Sequence, residues 1–148
     1  MGIDAHALNF VYYNLDRAPL GRVITIGRQS LERAAVEGLY EKLGIRLEAT
    51  VCEPALLAFG ATTVESLDVS PFEQATRIAD LNKAFELNER YNTVIDAGSL
   101  EHIFNVSTAF ENLIRLCEIG GRIFHVLPVN NLNGHGFWQF SSDLMYTI

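Results

Sequence analysis

The chain has 148 residues, of which 49% are hydrophobic and 20% are charged, and its formal net charge is −7. These values predict one globular domain over residues 1–148 with an ordinary hydrophobic core. The acidic balance disfavours nucleic-acid binding, and no apolar run reaches the roughly 20 residues that span a membrane. The N-terminus has no signal-peptide pattern, and Cys52 and Cys117 lie far apart, so we expect a cytoplasmic protein with reduced thiols.

The first half of the chain is predicted to alternate between helices and short buried strands. In chain order it contains a helix over 5–16, a strand over 23–26, a helix capped by Ser30 and ended by Gly44, a weak strand over 45–51 and a helix over 54–59. Residues 1–21 are therefore interpreted as an N-terminal helix and its lead-in to the first strand.

The second half continues the alternation. It contains a strand over 63–69, a helical turn over 72–75, a brief strand from Ile78, a strand over 93–95, a long helix, a strand over 122–127, and a helix start at Ser141 or Ser142. Residues 129–148 are interpreted as a loop that leads into this last helix. Strands separated by crossover helices predict an α/β fold with a doubly wound, mainly parallel sheet.

The long helix has signals for both of its ends and for its buried face. Thr108 and Glu111 have the spacing of a capping box, and Gly120-Gly121 is predicted to end the helix. The apolar residues that recur at helical intervals predict the buried face, and they are Ile103, Val106, Phe110, Leu113, Ile114 and Cys117.

Polar residues follow the strand that precedes this helix. Asp96, Ser99, Glu101 and His102 come directly after the apolar run that begins at Thr93. Ligand sites of open parallel sheets lie beyond the carboxyl ends of the strands. We therefore expect these side chains to border a binding site.

The segment over 91–128, which includes SLEHIFN and AFENLIRLCEIGGRIFHVLP, resembles the second half of class I S-adenosylmethionine-dependent methyltransferases. The resemblance is moderate over 60–90 and weak over 1–59. It implies a Rossmann-like sheet of about five strands that lacks the usual C-terminal β-hairpin. We expect either a shortened relative or, by preference, a fragment. The last strand would then be an open edge that pairs with a second copy in a homodimer.

The resemblance implies methyl transfer from S-adenosylmethionine to a small or polar acceptor, which would be a small-molecule substrate. Gly27 would let the backbone approach the cofactor, Asp68 would accept both ribose hydroxyls, and Asp80 would accept the adenine amino group. Arg28 either opposes the cofactor's positive charge or pairs with its carboxylate. The residues implied to bind the cofactor are Gly27, Arg28, Asp68, Asp80, Leu81, Asp96, Ala97, Gly98 and Ser99.

Three residues are the candidates on the acceptor side. His102 follows the fourth predicted strand of the sheet, where it would accept a proton or shape the pocket. Asn130 and His135 lie in the loop after the fifth strand, which faces the substrate in the resembled fold. Aromatic residues of the same loop, Phe137, Trp138 and Phe140, would form a lid or pack the domain.

Other functions are also considered. The first turn carries only Gly27, and this feature favours a methyltransferase-like domain that no longer binds the cofactor and acts as an interaction module. A dinucleotide-dependent oxidoreductase is disfavoured because G-x-G-x-x-G is missing. No metal site is expected, because the four histidines lack the paired spacing of metal ligands.

Overall fold

The computed structural model describes residues 2–33, 35–38, 44 and 50–147. Their regular elements are β1 (Gly2–Ile3), α1 (Ala5–Tyr12), β2 (Gly21–Ile26), β3 (Ser30–Leu31), α2 (Glu53–Ala58), β4 (Ala61–Asp68), β5 (Arg77–Ile78), β6 (Tyr91–Ala97), α3 (Val106–Leu116) and β7 (Cys117–Val126). Short 3₁₀ helices cover Leu15–Arg17, Leu100–His102 and Ser142–Tyr146.

Five of these strands form one parallel sheet in the order β5-β4-β2-β6-β7. Strand β2 therefore lies between β4, the next strand of this sheet along the chain, and β6, which the chain reaches from the edge strand β5. The sheet order reverses between β2 and β6, and this topological switch point is where doubly wound sheets bind ligands. The predicted α/β fold with a five-stranded, Rossmann-like parallel sheet is confirmed.

Helices cover both faces of the sheet, and each face has its own apolar core. One core packs α1 and α2 against the sheet through Leu8, Leu56 and Ile95, among others. The other packs α3 through Phe110, Leu113 and Val94. Val94 and Ile95 are neighbours in β6 that point to opposite faces, as the pleat of a strand requires.

The predicted start of the second helix is wrong. Ser30 does not cap a helix, because it belongs to β3, which pairs in parallel with β1 and forms a bridge to Val51. Residues 35–38 are helical, but most of the helix predicted up to Gly44 and of the weak strand over 45–51 lies outside the described residues. The helical turn predicted over 72–75 is absent, because residues 72–73 form only a turn and 74–75 are irregular.

Both predicted ends of the long helix are also wrong. Helix α3 begins at Val106, and it ends at Leu116 before the glycine pair. Gly120-Gly121 lies inside β7, where the pairing with β6 shifts register, and Gly120 has a φ of +81°. The glycines serve a bulge, because extended Cys117 already pairs with Tyr91.

Strand β7 forms one outer edge of the five-stranded sheet that the described residues build. The pairing of this edge with a second copy stays a prediction. No helix among the described residues combines the length and the apolar character that a membrane span requires.

Candidate functional site

A cavity of about 190 Å³ lies at the carboxyl ends of the central strands. This volume is below the roughly 300–1,000 Å³ of typical small-molecule sites, so the cavity matches part of a ligand of cofactor size. The lining residues are Ile26, Gly27, Leu67, Asp68, Val69, Ala79, Asp80, Leu81, Asn82, Ser99, His102 and Ile103. They come from the ends of β2, β4, β5 and β6, which are the four places where sequence predicts cofactor contacts.

Gly27 forms the turn at the end of β2. Its φ of +72° is a conformation that favours glycine, and its N–H donates to the Leu67 carbonyl at 2.7 Å. Its own carbonyl accepts a hydrogen bond from Thr25 Oγ1 at 2.8 Å. These bonds hold the backbone of the turn against the wall of the cavity.

Asp68 and Asp80 both line the cavity, although a loop separates them in the chain. The Asp68 carbonyl accepts a hydrogen bond from Ala79 N–H at 2.9 Å, which fixes the end of β4 to the segment after β5. Asp80 Oδ1 accepts from the backbone and side-chain nitrogens of Asn82, both at 3.0 Å. The pKa of Asp80 is lowered mainly by the hydrogen bond from the Asn82 side chain and next by the one from the Asn82 backbone. Leu81 adds a buried apolar surface.

The turn after β6 reaches the cavity only through Ser99. Asp96 is fully buried, and its Oδ1 accepts hydrogen bonds from the N–H groups of Ser99 and Leu100, while its Oδ2 lies 3.0 Å from His125 Nδ1. Its carboxylate therefore shapes the turn. Ala97 and Gly98, which has a φ of +79°, also lie outside the lining.

Gln29 has a structural role that the sequence reasoning did not identify. Its side chain is completely buried, and its Nε2 donates to the Ile26 carbonyl at 2.6 Å and to Ser99 Oγ at 3.4 Å. Ser99 Oγ donates to the same carbonyl at 2.7 Å. Gln29 therefore occupies space between the ends of β2 and β6.

Arg28, another predicted cofactor ligand, lies outside the lining of the cavity. Its Nε donates to Glu53 Oε1 at 2.8 Å, and its Nη1 donates to the Glu73 carbonyl at 3.2 Å. The guanidinium thus joins the start of α2 to the loop after β4. From sequence alone, a charged residue in a turn is as compatible with a structural ion pair as with a ligand contact.

A second group of side chains lies beside the cavity. Glu101 Oε1 is 3.8 Å from His102 Nε2 and 3.5 Å from His135 Nε2, and one ligand atom of each residue lies within 4.8 Å of the others. Glu101 is 1% exposed, and its Oε2 has no hydrogen-bond partner among the described residues. Burial is the main cause that raises the pKa of Glu101. The sequence spacing of the histidines did not indicate this grouping, because His135 arrives from a separate loop.

That loop is fixed to the segment that carries Glu101. The N–H groups of Phe137 and Trp138 both donate to the Glu101 carbonyl, at 2.7 and 3.2 Å, and Trp138 Nε1 donates to the Ile103 carbonyl at 2.9 Å. Gly136 packs so closely that an added Cβ would lie 2.6 Å from the same Glu101 carbonyl oxygen. The glycine after His135 is the sequence signal that could have predicted this approach.

The three residues predicted on the acceptor side therefore do not all lie at the cavity. His102 lines the cavity, and His135 contacts it only through the Glu101 cluster, with a ring centroid 5.0 Å from that of His102. Asn130 is exposed and does not line the cavity.

The cavity can hold a flat apolar ring and hydroxyl groups together. Leu67, Leu81 and Ile103 supply apolar surface, whereas Asp68 and Asp80 supply hydrogen-bond acceptors on its rim. The cavity lies at the topological switch point, and open parallel sheets bind nucleotides at this position. No protein-family model, curated protein or solved structure matches the chain.

Proposed function

We propose that this protein transfers a methyl group from S-adenosylmethionine to a small polar acceptor. The observation that carries the proposal is the cavity at the switch point, with one carboxylate at the end of β4 and another just after β5. A sheet order of β5-β4-β2-β6-β7 brings Asp68, Asp80 and Ser99 to one crevice, although they are distant in the chain.

The residues of the cavity fit the adenosine part of this cofactor. Asp68 has two carboxylate oxygens, and each can accept one hydroxyl of a ribose. Asp80 offers carboxylate oxygens to an amino group; hydrogen bonds from Asn82 orient its Oδ1, and Lys83 Nζ lies 3.3 Å from its Oδ2. Leu81 provides an apolar contact for a base between these polar groups.

For this reaction the main task of the protein is to position the two reactants. The acceptor's lone pair forms a bond to the methyl carbon while the bond from that carbon to sulfur breaks, and the acceptor then loses its proton. Holding the two reactants in line supplies most of the acceleration. His102 lines the cavity and is partly exposed, so its imidazole borders the place of the acceptor, and the released proton passes to solvent.

A second candidate function is an interaction module that has lost cofactor binding. The specific observation in its favour is Gln29, which fills space between β2 and β6 beside the single glycine of the first turn. The methionine part of the cofactor would have to lie close to this side chain. Under this alternative the cavity is a remnant of an ancestral site.

Calorimetric titration with S-adenosylmethionine and S-adenosylhomocysteine tests the proposal. We expect both to bind the wild-type chain, and we expect Asp68→Ala to weaken binding by about tenfold or more, because a hydrogen bond to a charged group contributes roughly 1.5–3 kcal/mol. Asp16→Ala is the matched control, because Asp16 is exposed in the 3₁₀ helix before β2.

Two outcomes would contradict the methyltransferase proposal. One is a folded wild-type protein that binds neither compound, and the other is unchanged binding by Asp68→Ala. Binding that appears only in a Gln29→Ala variant would favour the interaction module, because the native side chain would then be what blocks the crevice.

A further inference from the structure

A buried carboxylate faces two imidazoles at the edge of the proposed cofactor cavity. Glu101 is 1% exposed, yet its Oε2 has no hydrogen-bond partner among the described residues, and its Oε1 faces the Nε2 atoms of His102 and His135. A buried carboxylate normally has hydrogen bonds or a cation beside it, because its desolvation is unfavourable. The two histidines are partly exposed, so the cluster opens to solvent on one side.

The distances in this cluster differ from those of ordinary hydrogen bonds. Charge-assisted hydrogen bonds have donor–acceptor distances of about 2.7–2.9 Å. Asp96 and His125 approach this range, at 3.0 Å, whereas Glu101 Oε1 lies 3.5 Å from His135 Nε2 and 3.8 Å from His102 Nε2. The cluster is therefore more widely spaced than a hydrogen-bonded carboxylate–histidine pair in the same molecule.

The spacing fits ligands of one metal ion. Zn²⁺ binds nitrogen and oxygen at about 2.0–2.2 Å, so two ligand atoms at a tetrahedral angle lie roughly 3.3–3.5 Å apart. The separations of 3.5 and 3.8 Å match this value to within a few tenths of an ångström. All three ligand atoms lie within 4.8 Å of one another, and both imidazoles are partly exposed.

The backbone holds the two ligand-bearing segments together without any ion. Glu101 and His102 belong to one 3₁₀ helix, and its Glu101 carbonyl accepts hydrogen bonds from Phe137 and Trp138, just after His135. The close approach of Gly136 to the same carbonyl leaves no room for a side chain. The ligands are thus brought to one place by contacts that involve none of their metal-binding atoms.

We propose that Glu101, His102 and His135 bind a divalent first-row transition-metal ion such as Zn²⁺. Two imidazole nitrogens with one carboxylate are a donor set typical of these ions, whereas Mg²⁺ prefers oxygen ligands. Three protein ligands leave a coordination position for water or a substrate oxygen. His102 also lines the neighbouring cavity, so this open position lies close to the place where an acceptor would bind.

The test uses the full chain after dialysis against EDTA and then into metal-free buffer. Calorimetric titration with ZnCl₂ is expected to give one bound ion per chain. Glu101→Gln and His135→Ala are each expected to weaken Zn²⁺ binding by at least about tenfold, since even residues that only support metal ligands contribute this much. His6→Ala is the matched control, because His6 is exposed on α1 and belongs to no such cluster; its binding should equal wild type.

A second measurement separates lost ligands from lost folding. Zn²⁺ should raise the melting temperature of wild type and His6→Ala but not that of His135→Ala, whose removed side chain is about half exposed. Wild-type protein that binds no Zn²⁺, tighter binding of Mg²⁺, or unchanged binding by His135→Ala would each overturn the metal site. S-Adenosylhomocysteine titrated in EDTA reports on the cofactor cavity separately, so the two proposals can fail independently.

Discussion

Glu65 illustrates how one side chain connects several strands of the sheet. It lies on β4, and its Oε2 accepts hydrogen bonds from Arg77 Nε of β5 at 2.7 Å and from the Tyr91 hydroxyl of β6 at 3.0 Å. Arg22 of β2 adds an ion pair at 3.7 Å. Burial acts to raise the pKa of Glu65, but the hydrogen bonds from Arg77 and Tyr91 outweigh it, and the net pKa is lowered.

This lowered pKa makes the stability of the fold depend on pH. A carboxyl group with a depressed folded-state pKa stabilises the protein above its unfolded-state pKa, which is about 4.3 for glutamate, and this contribution is lost as pH falls through the folded-state value. We expect Glu65→Gln to lower the free energy of unfolding by about 1–2 kcal/mol at pH 7, with a difference that shrinks below pH 4.

Urea denaturation at several pH values measures this effect. Glu111→Gln is the matched control, because Glu111 forms an exposed ion pair with Arg115 and should change the free energy of unfolding by less than about 0.5 kcal/mol. A difference between wild type and Glu65→Gln that stays constant from pH 7 to pH 3 would refute the role given to the ionised carboxylate.

Some site residues could be predicted from sequence and others could not. Asp68 lies at the end of one predicted strand and Asp80 just after the start of another, so parallel topology alone brings them to one edge of the sheet. The contact of Glu101 with His135 depends on the path of a loop, which is set by backbone hydrogen bonds and by Gly136. Local sequence periodicity does not report such a path.

At the scale of elements, helix α3 packs only one of its faces against the sheet. Leu113 is fully buried in the core beneath this helix, whereas its neighbour Ile114 is 56% exposed, although both were predicted to be buried. The prediction for Ile114 is wrong because the helix begins at Val106 and turns Ala109, Phe110 and Leu113 toward the sheet. Apolar residues next to each other in a helix cannot all point the same way.

We expect Leu113→Ala to lower the free energy of unfolding by about 2–5 kcal/mol, since it leaves a cavity in a packed core. Ile114→Ala removes a similar side chain from the same helix and should change the free energy of unfolding by less than about 1 kcal/mol. Equilibrium denaturation of the two variants measures both values. Equal losses would mean that the helix presents a different face to the sheet.

The boundaries of elements were the part of the fold that sequence predicted least well. Gly120-Gly121 was predicted to end the long helix because glycine pairs commonly do so. In the structure the pair lies in a bulge of β7, where an added Cβ on Gly121 would lie 2.8 Å from Cys117 Sγ. The glycines are therefore explained by pairing with a distant strand and not by the end of a helix.

For the molecule as a whole, the order of parallel strands determines where chemistry can occur. Alternating strands and helices predicted a parallel sheet, and the order β5-β4-β2-β6-β7 places the switch point between β2 and β6. The cavity and the Glu101 cluster both border the carboxyl edge of this sheet. A separate cavity at the amino edge is lined by Gly21 and Gly121 among others. Its polar side chains are Asn92, Glu118 and Arg122, and it has none of the aspartates or histidines of the carboxyl edge.

Nuclear magnetic resonance of the ¹⁵N-labelled chain, titrated with S-adenosylhomocysteine, tests the central claim most directly. The account predicts that amide signals of Gly27, Val69 and Asn82 shift as the compound binds, because these residues line the cavity at the carboxyl edge. Signals of Gly21 and Gly121, at the amino edge, should stay in place. Signal shifts confined to the amino edge, or no shifts in a folded protein, would contradict binding of the compound at the carboxyl edge.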